Sequence, residues 1–266
     1  MNAPTLPLTD QPRPDSIVAW CADGPVTRDQ FLADVAQLAA LFPPGGHVLN
    51  SCSDRYHFLV GLAAAAVSGR VSLLPPNLTA ETVARLVAAH PDLVCIHDGA
   101  DAIDGLPGLG MPPRADVGAG GLSVPQIPVD QVISHVYTSG STGIPGTHLK
   151  TWGSLVVNGL AEAERLGAAG HVLVGTVPAQ HMYGFESTVL MCLHGGAALW
   201  HGRPFYPADI AAALAAVPRP RALITTPFHL RALLDAEVAV PPPDFILSAT
   251  APLSEALARR AETTLG

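Results

Sequence analysis

The sequence predicts an α/β protein built as two stacked subdomains, each a parallel-rich sheet covered by helices. Three observations predict it. Short apolar runs of buried-strand length alternate with helix-length amphipathic segments along most of the chain. The alternation breaks once, between His97 and Gln131, where Gly, Pro and Asp take over. The composition, 48% hydrophobic and 14% charged over 266 residues, supplies a buried core and excludes a disordered chain. The expected division is 1–131, a first subdomain with its Gly/Pro-rich connection, and 132–266, a second.

The elements follow in order. Thr27 with Gln30 has the spacing of a capping box, and Phe31, Val35, Leu38 and Leu41 then share one helical face. His47–Asn50 is strand-like, Asp54 caps a helix through Val67, and Val71–Leu74 is a buried strand. Thr79 caps a helix through Ala89, and Leu93–Ile96 extends. Residues 97–131 form a long irregular connection with a short hairpin. Val132–Val136 is a strand. Helices are expected over Thr151–Leu166, Phe185–Leu193, Ala208–Ala216, Phe228–Ala236 and Ser254–Leu265, and strands over His171–Val177, Ala197–Trp200, Arg221–Thr225 and Phe245–Ser248.

The net charge of −8, without a basic run, argues against a nucleic-acid partner. Cysteines 21, 52, 95 and 192 are too far apart for a zinc motif and read as reduced, mostly buried thiols of a cytoplasmic protein. The N-terminus is polar and proline-rich, unlike a signal peptide. The longest apolar run, Phe58–Val67, falls far short of the ~20 residues that span a membrane.

The most informative stretch is Tyr137-Thr138-Ser139-Gly140-Ser141-Thr142-Gly143-Ile144-Pro145. A strand running into a loop of glycines and hydroxyls clusters N–H and O–H donors, and such a cluster binds phosphate. Glycine is needed where backbone amides turn toward an anion. A Ser/Thr/Gly run is also the composition of a solvated linker. The preceding strand, the terminal Ile-Pro and the helical pattern after it favour phosphate. The Walker A pattern is excluded, because Pro145 and Gly146 stand where it needs glycine and lysine. Lys150, the only lysine in the chain, follows this loop. It is expected to turn back and offer its charge to the phosphates. The competing reading is a surface lysine at the start of the Thr151 helix, where the helix dipole disfavours a cation.

This loop resembles the phosphate-loop signature of the adenylate-forming superfamily of acyl-CoA synthetases, aryl-CoA ligases, peptide-synthetase adenylation domains and luciferases. Pro178-Ala179-Gln180-His181-Met182-Tyr183-Gly184 resembles that family's Pro-x-x-His-x-x-Gly motif, and Ser248-Ala249-Thr250-Ala251-Pro252-Leu253 its Ser-Gly-Gly-Ala-Pro-Leu loop. The resemblance runs from about Ala19 to Gly266. It departs at Gly146, where the family usually carries lysine. The family's Tyr-Gly-x-[ST]-Glu motif, ribose-binding aspartate, hinge and catalytic lysine are not among these residues, so the expectation is the N-terminal part of such an enzyme.

The resemblance implies a carboxylic acid activated by ATP and Mg2+ to an acyl-adenylate, then passed to CoA or to the phosphopantetheinyl arm of an acyl carrier protein. Residues 146–152 resemble carrier-protein-loading ligases of aryl-polyene pathways. Thr138, Ser139, Gly140, Ser141, Thr142 and Gly143, with Lys150, would hold the β- and γ-phosphates. Ala249, Thr250, Ala251 and Pro252 would present backbone groups to adenine, or form an ordinary strand-to-helix turn capped by Ser254. His181, Tyr183, Gly184, Phe185 and Thr226 would line the acyl pocket, with His181 alternatively a packing histidine. Glu186 reads as a substrate contact or a first-turn acid. His194 and His201 lack a third ligand at useful spacing, so no protein metal site is expected. Two other readings stay open: a non-catalytic nucleotide- or acyl-binding module of the family, and an unrelated α/β phosphate-binding enzyme.

Overall fold

The computed structural model describes residues 3–99, 102–117, 121–138, 146–236 and 238–266. The chain separates into two compact units, Met1–Ser16 with Thr27–Asn158, and Ile17–Val26 with Gly159–Gly266. These limits differ from the 131/132 boundary drawn on the sequence: residues 132–158 group with the first unit and 17–26 with the second.

In the first unit, β1 (Thr5–Pro7) pairs antiparallel with β8 (Gln126–Pro128). The main sheet has the order β10-β9-β5-β4-β6-β7. Its members are β4 (His47–Asn50), β5 (Val71–Leu74), β6 (Val94–His97), β7 (Gly108–Gly110), β9 (Val132–Thr138) and β10 (Gly146–Thr151). From β9 to β7 every pairing is parallel, and β10 alone runs antiparallel, on β9. The helices are α1 (Arg28–Ala40), α2 (Arg55–Val67) and α3 (Ala80–Ala89). Each starts at its expected cap. Thr27 accepts from Gln30 N at 3.2 Å, Asp54 from Tyr56 N at 2.8 Å and Thr79 from Thr82 N at 3.3 Å. Leu49 and Leu73 pack with Leu86 and Leu93 in the core between the sheet and α3.

The second unit's sheet has the order β14-β13-β11-β12-β2-β3. Its strands are β2 (Ile17–Cys21), β3 (Gly24–Thr27), β11 (Val172–Gly175), β12 (Ala198–Trp200), β13 (Arg221–Thr225) and β14 (Phe245–Ser248), parallel from β14 through β2. Alternate strand residues feed two cores. Val172, Val174 and Leu223 face α7 (Pro207–Ala216), α8 (Pro227–Asp235) and α9 (Glu255–Leu265). Leu173, Ala222 and Ile224 face the opposite core with Met191. Burial on both faces is what a parallel sheet requires, and it explains strands that read as continuous apolar runs. The helix α4 (Trp152–Leu166) connects the units in sequence, and Met182–His194 is helical as α5 (Met182–Gly184), a π-helical segment (Phe185–Leu190) and α6 (Met191–His194).

Five expectations need correction. Residues 146–151 are a strand, β10, and the helix begins at Trp152. Thr147 and Thr151 are β-branched and β9 offers a free edge, so pairing overrides the helical pattern there. The proline-rich N-terminus, given no element on the sequence, contains β1, and β2 and β3 follow it before α1. No hairpin occurs among the described residues of 97–131: β7 joins β6 and β8 joins β1. The capping box at Thr27 is half formed, because Gln30 Nε2 donates to Asp34 and to the Ala115 carbonyl, each at 2.8 Å. Leu41 caps α1 and is exposed, while Phe31, Val35 and Leu38 are buried as expected.

Candidate functional site

The carboxyl ends of parallel strands are where ligands bind in open α/β sheets. In the second unit four loops leave that edge: after β11 toward His181, after β12 toward Phe205, after β13 at Thr226, and after β14 at Ala249.

The β11 loop is held by glycine geometry. A Cβ on Gly184 would overlap the Pro178 carbonyl oxygen and lie 2.9 Å from its carbon. Only glycine lets the chain fold back so tightly. Thr188, in the π-helical segment, donates its hydroxyl to the Gly184 carbonyl. Tyr183 lies across the ends of two strands, its hydroxyl 3.0 Å from the Thr225 carbonyl and 2.8 Å from that of Leu247. Burial raises its phenol pKa, so it stays protonated and donates. The side chain thus ties β13 to β14, and Phe185 is fully buried in the core. His181 is exposed at the start of α5, and its imidazole pKa is lowered by desolvation first and by the charge of Arg203 second.

After β13, Thr225 is buried and its hydroxyl lies 3.0 Å from that of Thr176. Thr226 caps α8, accepting from His229 N at 3.3 Å, and its Oγ1 lies 2.9 Å from His229 Nδ1. After β14, Ala249 N donates to the Thr225 carbonyl at 3.3 Å, and Thr250 takes a positive φ of 77°. It is the one non-glycine residue in that region among the described residues. In the resembled motif this position is glycine, the residue that a positive φ suits, and here it is threonine. Thr250, Ala251 and Pro252 are exposed, and Ser254 caps α9 by accepting from Leu257 N at 3.3 Å.

Two polar atoms at this edge are buried without a hydrogen-bond partner among the described residues: Ser248 Oγ and His229 Nε2. Unpaired buried polar atoms are uncommon and call for an explanation such as a bound ligand or water. Sequence reasoning quoted Ser248 only as part of a motif and overlooked His229. Its position three residues after Thr226, one helical turn on, is the signal for it.

Of the phosphate-loop residues, 139–145 lie outside the described residues. Thr138 ends β9 and pairs with Gly146, the first residue of β10, so the loop joins two antiparallel strands. Lys150 stands opposite Ser134 in that ladder, with a register irregularity just after it. It therefore sits in a strand and not at a helix N-terminus. Among the described residues no group of three His, Cys, Asp or Glu side chains is placed to hold a metal ion, and no helix is long and apolar enough to cross a membrane.

A six-stranded, parallel-rich sheet in each unit, with the second carrying these loops on its carboxyl edge, defines the fold of the N-terminal domain of adenylate-forming enzymes. The chain belongs to the family described as AMP-binding enzyme, whose sequence profile matches residues 10–266. It is 37% identical over 123 residues to a 4-coumarate–CoA ligase of Rhodobacter capsulatus, a match covering 45% of this chain and 31% of the relative. Among solved structures it is similar to Bacillus subtilis o-succinylbenzoate CoA synthetase (MenE) in complex with AMP, with a TM-score of 0.79 at 16% identity, covering 98% of this chain and 57% of that one. It is also similar to ATP-bound MatB from Rhodopseudomonas palustris, with a TM-score of 0.75 at 20% identity, covering 96% and 56%. The chain thus spans just over half the length of these solved relatives.

Proposed function

We propose that the chain binds ATP and a carboxylic acid as part of an enzyme that activates the acid as an acyl-adenylate and transfers it to a thiol, CoA or a carrier-protein pantetheine. The observation that carries this reading is the family match over residues 10–266. The loop chemistry supports it. Residues 138–143 would supply prearranged donors to the triphosphate, stabilising the charge that develops when a carboxylate oxygen attacks the α-phosphorus. The turn at Ala249, Thr250, Ala251 and Pro252 would meet adenine with backbone groups. His181 and Thr226 would border the acid, with Tyr183, Gly184 and Phe185 fixing the shape of that loop. Magnesium would arrive on the phosphates, a role in which it needs few protein ligands.

Lys150, on β10 four residues past Gly146, would offer its ammonium to the phosphates from that strand.

The test is ATP binding by the 266-residue chain, measured by calorimetry with magnesium, for the wild type and for a variant with Ser139, Ser141 and Thr142 all changed to Ala. The wild type is expected to bind and the variant to bind at least about tenfold more weakly, the loss of one or two charge-assisted hydrogen bonds. Absence of ATP binding, or binding indifferent to the loop, would refute the reading. Acid-dependent pyrophosphate–ATP exchange separates an activating enzyme from a binding module. Residues 1–266 by themselves are expected not to complete thioester formation, since the resembled catalytic lysine and ribose motifs are not among them.

A further inference from the structure

The loop after β12 has a place in the site that no motif assigns to it. It runs His201-Gly202-Arg203-Pro204-Phe205-Tyr206 into α7. A Cβ on Gly202 would come within 2.8 Å of Trp200 Nε1, so the glycine lets the loop close against the strand it has just left. The Phe205 ring then meets His229 edge-on, with centroids 5.0 Å apart, and Phe228 stands 5.3 Å from the same imidazole in a second edge contact. Phe205 and Phe228 remain 48% and 69% exposed, although each touches a residue of the carboxyl edge. Aromatic rings left open beside a half-buried histidine form a platform for another flat ring.

Arg203 is the cation of this loop. It is exposed and has no ion-pair partner among the described residues. The acid nearest in sequence, Asp209, accepts instead from Tyr206 N at 3.3 Å. Arg203 lies two residues before Phe205, whose ring contacts His229. His181 and His229 each have a lowered pKa, by desolvation first and by the charge of Arg203 second. Both are therefore neutral near pH 7, and the guanidinium is the positive charge that loops from three adjacent strands have in common. His229 Nδ1 faces Thr226 Oγ1, and its Nε2 is buried without a partner.

We propose that Arg203 is a specificity-determining residue of the acid site, taking the carboxylate of an aromatic acid whose ring lies against Phe205 and Phe228. The proposal rests on the acid-activating reading above and names the substrate class for it. A guanidinium presents a planar fork that matches a carboxylate at two points, and it also stacks on aromatic faces, so one residue serves both ends of an aryl acid. With both imidazoles neutral, that charge is uncontested. An aliphatic acid would use the fork and waste the rings.

The experiment uses the 266-residue chain with 4-coumarate, its neutral amide and ATP as separate probes, for wild type, Arg203→Ala and Arg203→Lys. Binding is followed by NMR on the histidine ring protons, with His181→Gln and His229→Gln to assign the signals. Arg203→Ala is expected to weaken 4-coumarate by about tenfold or more, the loss of a charge-assisted contact. Arg203→Lys should fall between, and affinity for the amide and ATP should be unchanged. In Arg203→Ala without ligand, the pKa values of His181 and His229 should rise. Unmoved histidine pKa values would overturn the placement of Arg203. Equal weakening of acid and amide would overturn carboxylate recognition, and weakening of ATP in step with the acid would make Arg203 a phosphate contact. A wild type that binds ATP but neither aromatic probe overturns the substrate class alone. One that binds neither ATP nor acid overturns the activating reading, and this proposal with it.

Discussion

Thr250→Gly is expected to stabilise the protein. Thr250 is β-branched and sits at φ 77°, where its Cβ crowds the backbone. A non-glycine residue held in this region costs on the order of 1–3 kcal/mol. Glycine removes that strain, but a more flexible unfolded chain offsets roughly 0.5–1 kcal/mol of the gain. The side chain is exposed, so little packing is lost. The net gain is about 1 kcal/mol, which raises the midpoint of thermal unfolding by about 2–4 °C in a chain of this size. Urea unfolding should show a higher midpoint with an unchanged slope, a change in stability and not in the surface exposed on unfolding. Thr250→Asn should also stabilise, since asparagine tolerates the left-handed region, and Thr250→Val should not. A glycine variant less stable than wild type, or a valine variant more stable, would show that the threonine is not strained and that its hydroxyl makes a contact worth more than the backbone cost.

Two further outcomes are expected. Gly184→Ala should destabilise by at least the 1–3 kcal/mol, roughly, of an overpacked site, because the new methyl meets the Pro178 backbone and not a yielding side chain; urea unfolding measures it, and a neutral result would mean that the 178–184 turn is looser than described. The second concerns pH. Buried His194 has its pKa lowered to about 4 by desolvation, against 6.5 for a free imidazole. Between these values the unfolded chain binds the proton and the folded chain does not, so the contribution is complete above pH 6.5 and is lost as pH falls toward 4. Its size is roughly 3 kcal/mol, and His90 and His135, whose pKa values are also lowered by desolvation first, add in the same direction. Urea midpoints between pH 4 and 7 should fall with acid, and His194→Gln should flatten the slope; an unchanged slope in that variant would refute it.

The fold was legible where a segment's local pattern and its long-range partners agree. Val71–Leu74 and Arg221–Thr225 are mostly apolar, with Ala222, Leu223 and Ile224 consecutive in the second, because both faces of a parallel sheet are covered, and Asp54, Thr79 and Ser254 cap helices through contacts two or three residues away. What failed depended on a distant partner. Thr5–Pro7 is a strand only because Gln126–Pro128 lies beside it, more than a hundred residues later. The same holds for Ile17–Cys21, which pairs with β12 across most of the chain and carries the N-terminal segment into the second unit. No window of sequence contains that information.

Lys150 and Thr250 divide the site in the same way. Thr250 was named because it lies in a motif, and the structure adds why the motif is glycine elsewhere: the chain must turn left-handed at the end of β14, a demand set by the three-dimensional turn and invisible in the letters. Lys150 is the lone lysine just beyond a phosphate-like loop whose usual lysine is Gly146, and a strand stands where a helix was expected to begin beside it. The ladder puts it opposite Ser134, which in turn pairs with Ser72, so the three side chains share one face of the sheet. Ser72 and Ser134 are buried there, and their hydroxyls lack hydrogen-bond partners among the described residues. Lys150 itself is half-buried on this edge strand. Scarcity in the composition gave Lys150 its prominence; position in the ladder decides what it can touch. Arg203 is the converse, one of thirteen arginines and unremarked in the sequence, yet its loop is brought to the carboxyl edge by the contact of Phe205 with His229 in the first turn of α8.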